Sequence, residues 1–579
     1  KAPGMAGSAD GSAAAADDVA AFFGTATPND FSVFGNVVSY SGPEEWSLRR
    51  MVLHYAHLCA AAGGVDAFLI GSELRGLTRI RSGPGTYPAT AELRALARDV
   101  RGILGPSCKI SYAADWSEYG AHQPGGGDLF FPLDPLWADS DVDFIGIDNY
   151  LPLSDWREGA GHLDEEAGAA SIYELEYLKA NIEGGEYYDW FYANEADRAA
   201  QIRTPISDGA YGKPWVFRAK DIRAFWENAH YERPGGIEAA SPTPWQPRSK
   251  PIWFTEFGVP AVDKGTNQPN VFVDEKSSES ALPYFSTGRR DDYIQRRGIE
   301  AFLSYWQEAG NNPVSPTYGG AMVPLGRVFL WTWDARPSPA FPQLGELWSD
   351  AENWQRGHWL NGRLGAVPLE ALVRALMADV GFAAADAAGL AGTLQGYVVD
   401  RVMAPRKALE PLMLAHFFSG AETEGRILFR HFAKEPALTL GPDKLVLANE
   451  ESGHGYEFTR GQETELPAAA KLTYIDSELD YRMAAVEAQR RGVKSRRVAA
   501  SALPMVLRQE EAQAIADIWI QDAWVKREGV RLDLPPSLLA LDPGDLVRLD
   551  LPERRAAFRL TGMSDGSFRQ AMGVMSETS

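Results

Sequence analysis

Two glutamates in this sequence are placed to do chemistry, because each directly follows a short apolar run. Glu256 follows Ile-Trp-Phe-Thr at residues 252–255, and Glu73 follows Ala-Phe-Leu-Ile-Gly-Ser at residues 67–72. Hydrolysis of a glycosidic bond uses two carboxyl groups, one that is protonated near neutral pH and one that is ionised. The pair therefore predicts a site for glycosidic bond cleavage, provided that the fold brings the two carboxyl groups together.

Apolar runs that alternate with helical patterns predict the elements that hold these glutamates. Strands are expected at residues 67–70, 109–113, 143–147, 252–255 and 328–332. One helix is expected before the first strand, at 45–62, and another between the first two strands, at 91–103. Such alternation indicates a parallel sheet with right-handed crossovers, and a parallel barrel keeps its chemistry at the carboxyl ends of its strands. The sequence predicts an α/β fold, a (β/α)8 TIM barrel of which these are strands four to eight. We expect the first three strands to lie upstream of residue 1.

The predicted strands end in polar and aromatic residues, which suit the binding of a sugar. Besides the two glutamates, the predicted substrate-binding residues are Asp115, Trp116, Asp148, Asn149, Tyr150, Trp331 and Trp333. We expect Trp331 or Trp333 to form the floor of a sugar subsite by stacking. Asp115 and Asn149 are expected to bind sugar hydroxyl groups.

Composition and charge argue against several other classes of function. The formal net charge of −22 argues against sequence-specific or general nucleic-acid binding, which rests on a basic surface. The two cysteines provide no disulfide framework, no apolar run is long enough for a transmembrane segment, and no secretory signal peptide stands at the start. His54 and His57 lie one helical turn apart, but without a third ligand helix packing is favoured over metal binding. We expect neither a metal nor another cofactor.

The chain is expected to divide into a barrel and a β-rich half. Residues 1–365 predict the barrel, with a large aromatic-rich insertion at about 151–250 that is too long for one crossover helix. That insertion either walls a cleft over the barrel or packs as a subdomain for stability or assembly. Residues 366–396 predict a linker, in which residues 368–379 are helical and residues 383–396 form a small-residue linker or a helix–turn. Residues 397–579 predict α+β domains rich in strands, and they contain no catalytic motif.

The layout of the first half resembles the clan A glycoside hydrolases. Thr255-Glu256-Phe257-Gly258 is similar to the nucleophile motif of that clan, and Glu73 stands where its acid/base residue ends strand four. The resemblance implies a retaining enzyme with Glu256 as nucleophile, Glu73 as acid/base and Tyr150 as a hydrogen-bond donor to the nucleophile. The sequence departs from the clan at Ser72, because an Asn that contacts the sugar usually precedes the acid/base residue.

The whole chain resembles the large tail-tip hub proteins of alphaproteobacterial gene transfer agents and related siphophage-like tails. The runs that carry this resemblance are residues 45–57, 68–77, 112–119, 147–150, 250–258, 409–413 and 462–467. The resemblance implies a homotrimeric hub at the distal end of a tail, in contact with other tail-tip and baseplate proteins and with the envelope glycan of a recipient cell. It also implies a location at the tail tip of a virion-like particle that is assembled in the cytoplasm and released.

Two classes of function are left open by the sequence. The chain is either an enzyme that cleaves envelope glycan, such as peptidoglycan or a surface polysaccharide, or a structural hub whose inactive barrel serves assembly or glycan recognition. The paired glutamates and the aromatic strand ends favour the first class. Ser72 in place of Asn favours the second.

Overall fold

The computed structural model describes residues 1–274, 277, 280–337, 340–360, 366–423, 425–446, 455–479, 481–552, 554–566 and 568–577. The chain divides into two compact units, Lys1–Leu364 and Gly365–Ser579. Each unit is described on its own. Among the described residues, none of the helices combines the length and the apolar character that a membrane crossing requires.

The first unit alternates strands and helices along most of its length. Its strands are β1 (Phe31–Phe34), β2 (Val37–Tyr40), β3 (Ala67–Ser72), β4 (Lys109–Asp115), β5 (His122–Gly125), β6 (Asp128–Phe130), β7 (Ile145–Asn149), β8 (Trp190–Phe191), β9 (Thr204–Pro205), β10 (Ile252–Phe257) and β11 (Val328–Leu330). Its helices are α1 (Ala14–Phe23), α2 (Leu48–Ala61), α3 (Arg75–Thr78), α4 (Pro88–Leu104), α5 (Asp134–Trp137), α6 (Leu163–Glu166), α7 (Leu175–Ala180), α8 (Glu195–Ala199), α9 (Ile222–Glu227), α10 (Asp292–Gln307) and α11 (Ala340–Gln343).

Five of these strands form one parallel sheet in the order β3-β4-β7-β10-β11. Neighbours in the sheet are the apolar runs that succeed one another in the sequence, so the sheet has the sequential order of a TIM-barrel-like fold. Within the described residues the sheet is a half-barrel, and β3 and β11 are its edges. The last strand was expected at residues 328–332, but it ends at Leu330 and is therefore shorter.

Helices cover the outer face of the sheet and bury their apolar stripes against it. Helix α4 begins with Pro88 at its first position and ends at Gly105, whose φ of 78° is one that glycine adopts without strain. Helix α10 places Phe302 against two of the three aromatic residues of β10, with ring centroids 4.9 Å from Phe254 and 3.9 Å from Phe257. These contacts fix β10, and with it the position of Glu256.

The insertion after β7 is a folded subdomain with buried ion pairs. The Arg203 guanidinium lies 2.8 Å from a carboxylate oxygen of Asp155 and 2.5 Å from one of Asp164. Arg198 forms two hydrogen bonds to Glu186, at 2.8 and 3.0 Å. Paired and hydrogen-bonded charges of this kind tolerate burial. These ion pairs therefore join segments of the insertion to one another.

The second unit is rich in strands. Its strands are β12 (Val367–Pro368), β13 (Ala385–Asp386), β14 (Thr393–Leu394), β15 (Phe418–Thr423), β16 (Arg426–His431), β17 (Leu438–Leu440), β18 (Tyr456–Arg460), β19 (Pro467–Asp476), β20 (Arg482–Gln489), β21 (Arg497–Leu507), β22 (Glu528–Leu534), β23 (Leu546–Leu551), β24 (Arg554–Asp565) and β25 (Arg569–Met575). Its helices are α12 (Leu369–Ala378), α13 (Pro405–His416) and α14 (Gln509–Val525).

Two hydrophobic cores hold the second unit. One lies between helix α14 and the sheet β20-β19-β21, and the other lies within the six-stranded sheet β17-β23-β24-β25-β22-β18. The described part of the segment 366–396, for which the sequence suggested a linker, is folded into this unit. Its helix α12 buries Leu369 and Val373 in the first core, and Leu394 of β14 joins them. Small residues suggested a flexible connection, but the apolar residues among them are enough to anchor the segment.

Candidate functional site

Three carboxyl groups meet at the carboxyl ends of β3, β7 and β10. One oxygen from each of Glu73, Asp148 and Glu256 lies within 4.8 Å of the other two. Glu73 is exposed, Glu256 is half-buried and Asp148 is fully buried, so the cluster reaches from the interior of the sheet to solvent. The structure thus brings together the two glutamates singled out in the sequence. It adds the Asp148 carboxyl group to them.

Irregular strand ends aim both glutamates into this cluster. The pairing of β3 with β4 shifts register between Leu69 and Ser72, and the pairing of β10 with β7 shifts between Phe254 and Glu256. Such shifts commonly re-aim side chains beside active sites. Glu73 itself has a φ of 50°, and its N–H donates to the carbonyl oxygen of Ala113 at 2.8 Å. A non-glycine residue in this region carries strain of about 1–3 kcal/mol, which the surrounding structure must offset.

Asp148 is held by hydroxyl groups from the adjacent strand β10 and from β3, which lies beyond β4 in the sheet. Thr255 Oγ1 donates to its Oδ1 at 2.6 Å, and Ser72 Oγ donates to its Oδ2 at 3.1 Å. Burial chiefly, with help from the Glu256 and Asp115 charges, raises the pKa of Asp148 to about 7 against these two hydrogen bonds. This carboxyl group therefore gains and loses its proton near neutral pH, unlike a solvent-exposed aspartate.

Glu256 is positioned by a tyrosine from the neighbouring strand end. Tyr150 Oη donates a 2.8 Å hydrogen bond to Glu256 Oε2. Burial raises the pKa of Glu256, and the hydrogen bond from Tyr150 acts in the opposite direction by favouring the ionised form. The Tyr150 ring packs edge-on against His358, with centroids 5.7 Å apart, and His358 is anchored through Nε2 to the carbonyl oxygen of Pro269 at 2.6 Å. Tyr150 is therefore held firmly beside the carboxylate.

The other predicted binding residues lie around this cluster in different ways. Asp115 is the register partner of Asp148, and its Oδ1 accepts from the Ser117 N–H at 2.8 Å. Asn149 is buried, and its amide oxygen accepts from the N–H of the residue two positions on, Leu151, at 3.2 Å. The Asn149 amide oxygen thus shapes the loop after β7. The expected role of this side chain in binding a sugar hydroxyl group stays a prediction.

Two of the predicted aromatic residues, Trp331 and Trp333, are accessible. Trp331 is 44% exposed and Trp333 is 71% exposed. Both follow the carboxyl end of β11, and Glu256 lies near the carboxyl end of the parallel strand β10. Trp116 follows β4, and its ring lies 5.2 Å from that of Tyr187 in the insertion. The exposed rings of Trp331 and Trp333 are therefore accessible to a ligand.

Sequence reasoning missed several residues of this site. The bonds from Ser72 and Thr255 to Asp148 depend on strand order, and no motif in the sequence marks His358 as the residue behind Tyr150. Tyr187 had a signal in the aromatic run of the insertion, but nothing indicated that its ring would meet Trp116. The missed contacts all join residues that are distant in sequence.

The cluster can do acid–base and nucleophilic chemistry. Carboxyl groups this close cannot all ionise freely, so protons are shared between them and one group can remain ionised while another donates. Three carboxylate oxygens could also hold a cation. However, hydroxyl groups already donate hydrogen bonds to Asp148 and Glu256. The three carboxyl groups can therefore also share protons without a bound cation.

Comparison with known proteins agrees with the fold of both units. The family model of the GTA TIM-barrel-like domain matches residues 46–342, and the model described as "Putative phage tail protein" matches residues 404–563. No curated protein sequence matches the chain.

Solved structures similar to the chain come from phage-like particles and from an enzyme. One is a chain of the "Virion of native gene transfer agent (GTA) particle", with 33% identity and a TM-score of 0.38, over 42% of this chain and 56% of that one. The tail protein from Neisseria meningitidis MC58 shows 11% identity and a TM-score of 0.28, over 37% and 68%. A GH113 β-1,4-mannanase shows 12% identity and a TM-score of 0.21, over 48% and 50%. The match to the virion chain thus spans little more than half of its length.

The half-barrel and the separate β-rich unit define a TIM-barrel-like protein of the phage-tail class. The first family model covers more than half of the chain, and the chain belongs to the GTA TIM-barrel-like domain family.

Proposed function

We propose that this chain is a distal tail hub of a phage-like gene transfer particle, and that its half-barrel carries a retaining glycosidase site of the clan A type. The site acts on envelope glycan, such as peptidoglycan or a surface polysaccharide, during DNA delivery. The observation that carries this proposal is the approach of Glu73 and Glu256, whose carboxyl oxygens lie within 4.8 Å of each other. Retaining enzymes hold their two carboxyl groups about 5–5.5 Å apart, whereas inverting enzymes leave about 6.5–9.5 Å for a water molecule.

In the proposed reaction a Glu256 oxygen attacks the anomeric carbon while Glu73 gives its proton to the departing glycosidic oxygen. The glycosidic bond breaks and a glycosyl ester of Glu256 forms. Water then attacks the same carbon, Glu73 takes a proton from that water, and the ester bond to Glu256 breaks. The proton therefore returns to Glu73, and both carboxyl groups end in their starting states.

Neighbouring groups support these two roles. The hydrogen bond from Tyr150 orients Glu256 and favours its ionised form, as a nucleophile requires. Asp148, whose pKa is raised to about 7, adds less negative charge beside Glu256 than an ordinary aspartate would. The exposed rings of Trp331 and Trp333 offer a stacking floor, and Asp115 a hydroxyl acceptor.

The roles are tested with Glu73→Gln on two substrates. The first is a glycan strand, whose leaving alcohol needs a proton, and the second is a dinitrophenyl glycoside, whose leaving group does not. We expect Glu73→Gln to lose nearly all activity on the glycan and to keep bond cleavage on the dinitrophenyl substrate, because only the first step on the glycan needs an acid. Glu44→Gln, which changes an exposed glutamate of the same unit, should leave both activities unchanged. Equal losses on both substrates would remove Glu73 from the acid role.

A second candidate function is a purely structural hub with an inactive barrel. The observation in its favour is that Ser72 Oγ is bonded to Asp148, so the residue before Glu73 is engaged with the end of β7. Particles that carry Glu256→Gln separate the two candidates. An enzymatic hub should lose DNA delivery through the envelope while the particles still assemble, whereas an inactive hub should lose neither.

A further inference from the structure

A cavity of about 390 Å³ opens between the loop after β4 and the insertion. Its aromatic lining includes Trp116 from the β4 loop, with Tyr187 and Trp215 from the insertion. The volume lies within the range of about 300–1,000 Å³ that is typical of small-molecule sites. The cavity is therefore large enough for a sugar residue, and its aromatic rings are suited to one.

Basic residues, and no acidic ones, line this cavity in the part of the chain that the structure describes. Arg79 enters it from the segment after α3, Arg218 from the insertion and His122 from β5. The whole chain has 78 acidic and 56 basic residues and is therefore negatively charged, whereas the charged side chains that line this cavity are positive. The cavity is thus a positive site on an acidic protein.

Each arginine uses one terminal nitrogen in a contact within the protein, so the donors of its other terminal nitrogen are the ones left for a ligand. The Nε atoms of Arg79 and Arg218 are buried without a hydrogen-bond partner and lie out of reach of a ligand. Arg79 donates elsewhere to the carbonyl oxygen of Ser117, and Arg218 lies 3.5 Å from Asp221. Burial lowers the pKa of His122 to about 4, and the charges of Arg79 and Arg81 add to that shift, so His122 is neutral and the positive potential comes from the arginines.

Two residues of the cavity lining are close in the chain to residues of the acid cluster or its register partners. Trp116 directly follows Asp115, and Asp115 is the register partner of Asp148 in the sheet. Arg79 follows the short helix that begins two residues after Glu73. A glycan held at Glu73 and Glu256 would therefore extend into this cavity from the β4 side.

We propose that this cavity is a subsite for a sugar that carries a carboxylate, next to the linkage held by the acid cluster. The aromatic rings contact the sugar, and the two guanidinium groups bind its carboxylate, for which their planar fork of donors is suited. The inference rests on the proposed function for the identity of the ligand as a glycan, but it concerns binding and does not require turnover.

Binding to one glycan with and without its carboxylate tests the proposal. The probe is a tetrasaccharide of N-acetylglucosamine and N-acetylmuramic acid, compared with the same tetrasaccharide after reduction of its lactyl carboxyl groups to alcohols. The protein is the full chain carrying Glu256→Gln, so that no turnover can consume the probe, and calorimetry gives the dissociation constants. We expect the carboxylate form to bind at least about tenfold more tightly, as for one charge-assisted hydrogen bond, with the ratio falling as salt is raised.

Variants in the same background assign the discrimination to the cavity. Arg218→Gln and Arg79→Gln should each reduce the ratio to about twofold or less, Arg218→Lys should keep part of it, and Trp116→Ala should weaken both probes. Arg98→Gln changes an exposed arginine of α4 outside the cavity and should leave the ratio unchanged.

Equal affinity of the two probes for the parent protein would overturn the proposal, and so would the absence of binding by either. Retained discrimination in both folded Arg→Gln variants would also overturn it. If the protein shows no turnover but still binds the carboxylate probe more tightly, the proposed function fails and this inference stands. The two failures are therefore distinguishable.

Discussion

The Tyr150 hydroxyl group donates a 2.8 Å hydrogen bond to Glu256, although the two residues lie 106 positions apart in the sequence. They meet because β7 and β10 are adjacent and parallel, which places their carboxyl ends side by side. The bond reaches a carboxylate whose burial works against ionisation. Tyr150 therefore both orients the proposed nucleophile and stabilises its charge.

Replacing Tyr150 with Phe should move the pH dependence of activity. The substitution removes a donor to the ionised carboxylate, so the pKa of Glu256 should rise further from its already raised value. A charge-assisted hydrogen bond is worth about 1.5–3 kcal/mol, and we expect the acid limb of the kcat/KM profile to shift upward by about one pH unit. The measurement is the pH–rate profile on a glycan substrate.

Tyr173→Phe is the matched control for this experiment. Tyr173 also donates to a half-buried carboxylate, Asp291, at 2.7 Å, but it does so in contact with helix α10 and outside the acid cluster. Its variant should keep the acid limb of the wild type even if stability falls. An unshifted limb in Tyr150→Phe would contradict the proposed role of Tyr150.

Replacing Asp148 with Asn should change how stability depends on pH. Ionising Asp148 in the folded state is unfavourable, since its pKa is raised from 3.8 to about 7. The folded protein therefore binds more protons than the unfolded chain between these values, and this group lowers stability as pH rises from about 4 to 7. Asp148→Asn removes this effect. As the pH rises from 4 to 7, the free energy of unfolding of the variant should therefore increase relative to that of the wild type by up to about 4 kcal/mol, with no further increase above pH 7.

Urea unfolding of the half-barrel unit, followed by tryptophan fluorescence at each pH, provides this measurement. The comparison of interest is the change with pH, because the substitution also alters the bonds from Ser72 and Thr255. In a Glu256→Gln background the gain should be smaller, since the Glu256 charge contributes to the shift. A difference between the variants that is constant with pH would show that Asp148 ionises like an exposed aspartate.

Much of the half-barrel follows from the sequence, because each strand is an apolar run bounded by polar residues. The order of the five strands follows from the alternation with helices, and Glu73 and Glu256 follow from their positions at strand ends. Strand ends are less certain from sequence, and β11 stops at Leu330 instead of residue 332. Extension of a strand beyond its apolar core depends on the neighbours available for pairing.

The finer arrangement of the site depends on contacts that no local pattern encodes. The burial of Asp148 results from the two hydroxyl groups that enclose it, and these come from different strands. The bond from the Leu151 N–H to the Asn149 oxygen is one that no motif marks, and a short side chain at a strand end readily makes such a bond to its own loop. In the segment 366–396, the helix expected at residues 368–379 forms as α12, whereas the residues after it were expected only as a linker or a helix–turn.

The oligomeric state provides a separate test of the tail hub proposal. A closed ring of three subunits, expected from the resemblance to tail hubs, requires each subunit to bury a heterologous interface with its neighbours. Light scattering on the purified chain should give three times the protomer mass of 63.4 kDa. A dilution series checks that the trimer is not an effect of high concentration. A stable monomer both in solution and inside intact particles would contradict the three-fold hub.

The most direct test of the central claim is the activity of Glu256→Gln on peptidoglycan and on surface polysaccharide. The substitution keeps the shape of the side chain and its contact with Tyr150 but removes the nucleophilic carboxylate. We predict that the wild type releases new reducing ends, and that Glu256→Gln loses this activity by several orders of magnitude while it still binds the glycan and assembles into particles. Equal activity in the two proteins would remove Glu256 from catalysis, and no activity in either would contradict the account of this site as a glycosidase.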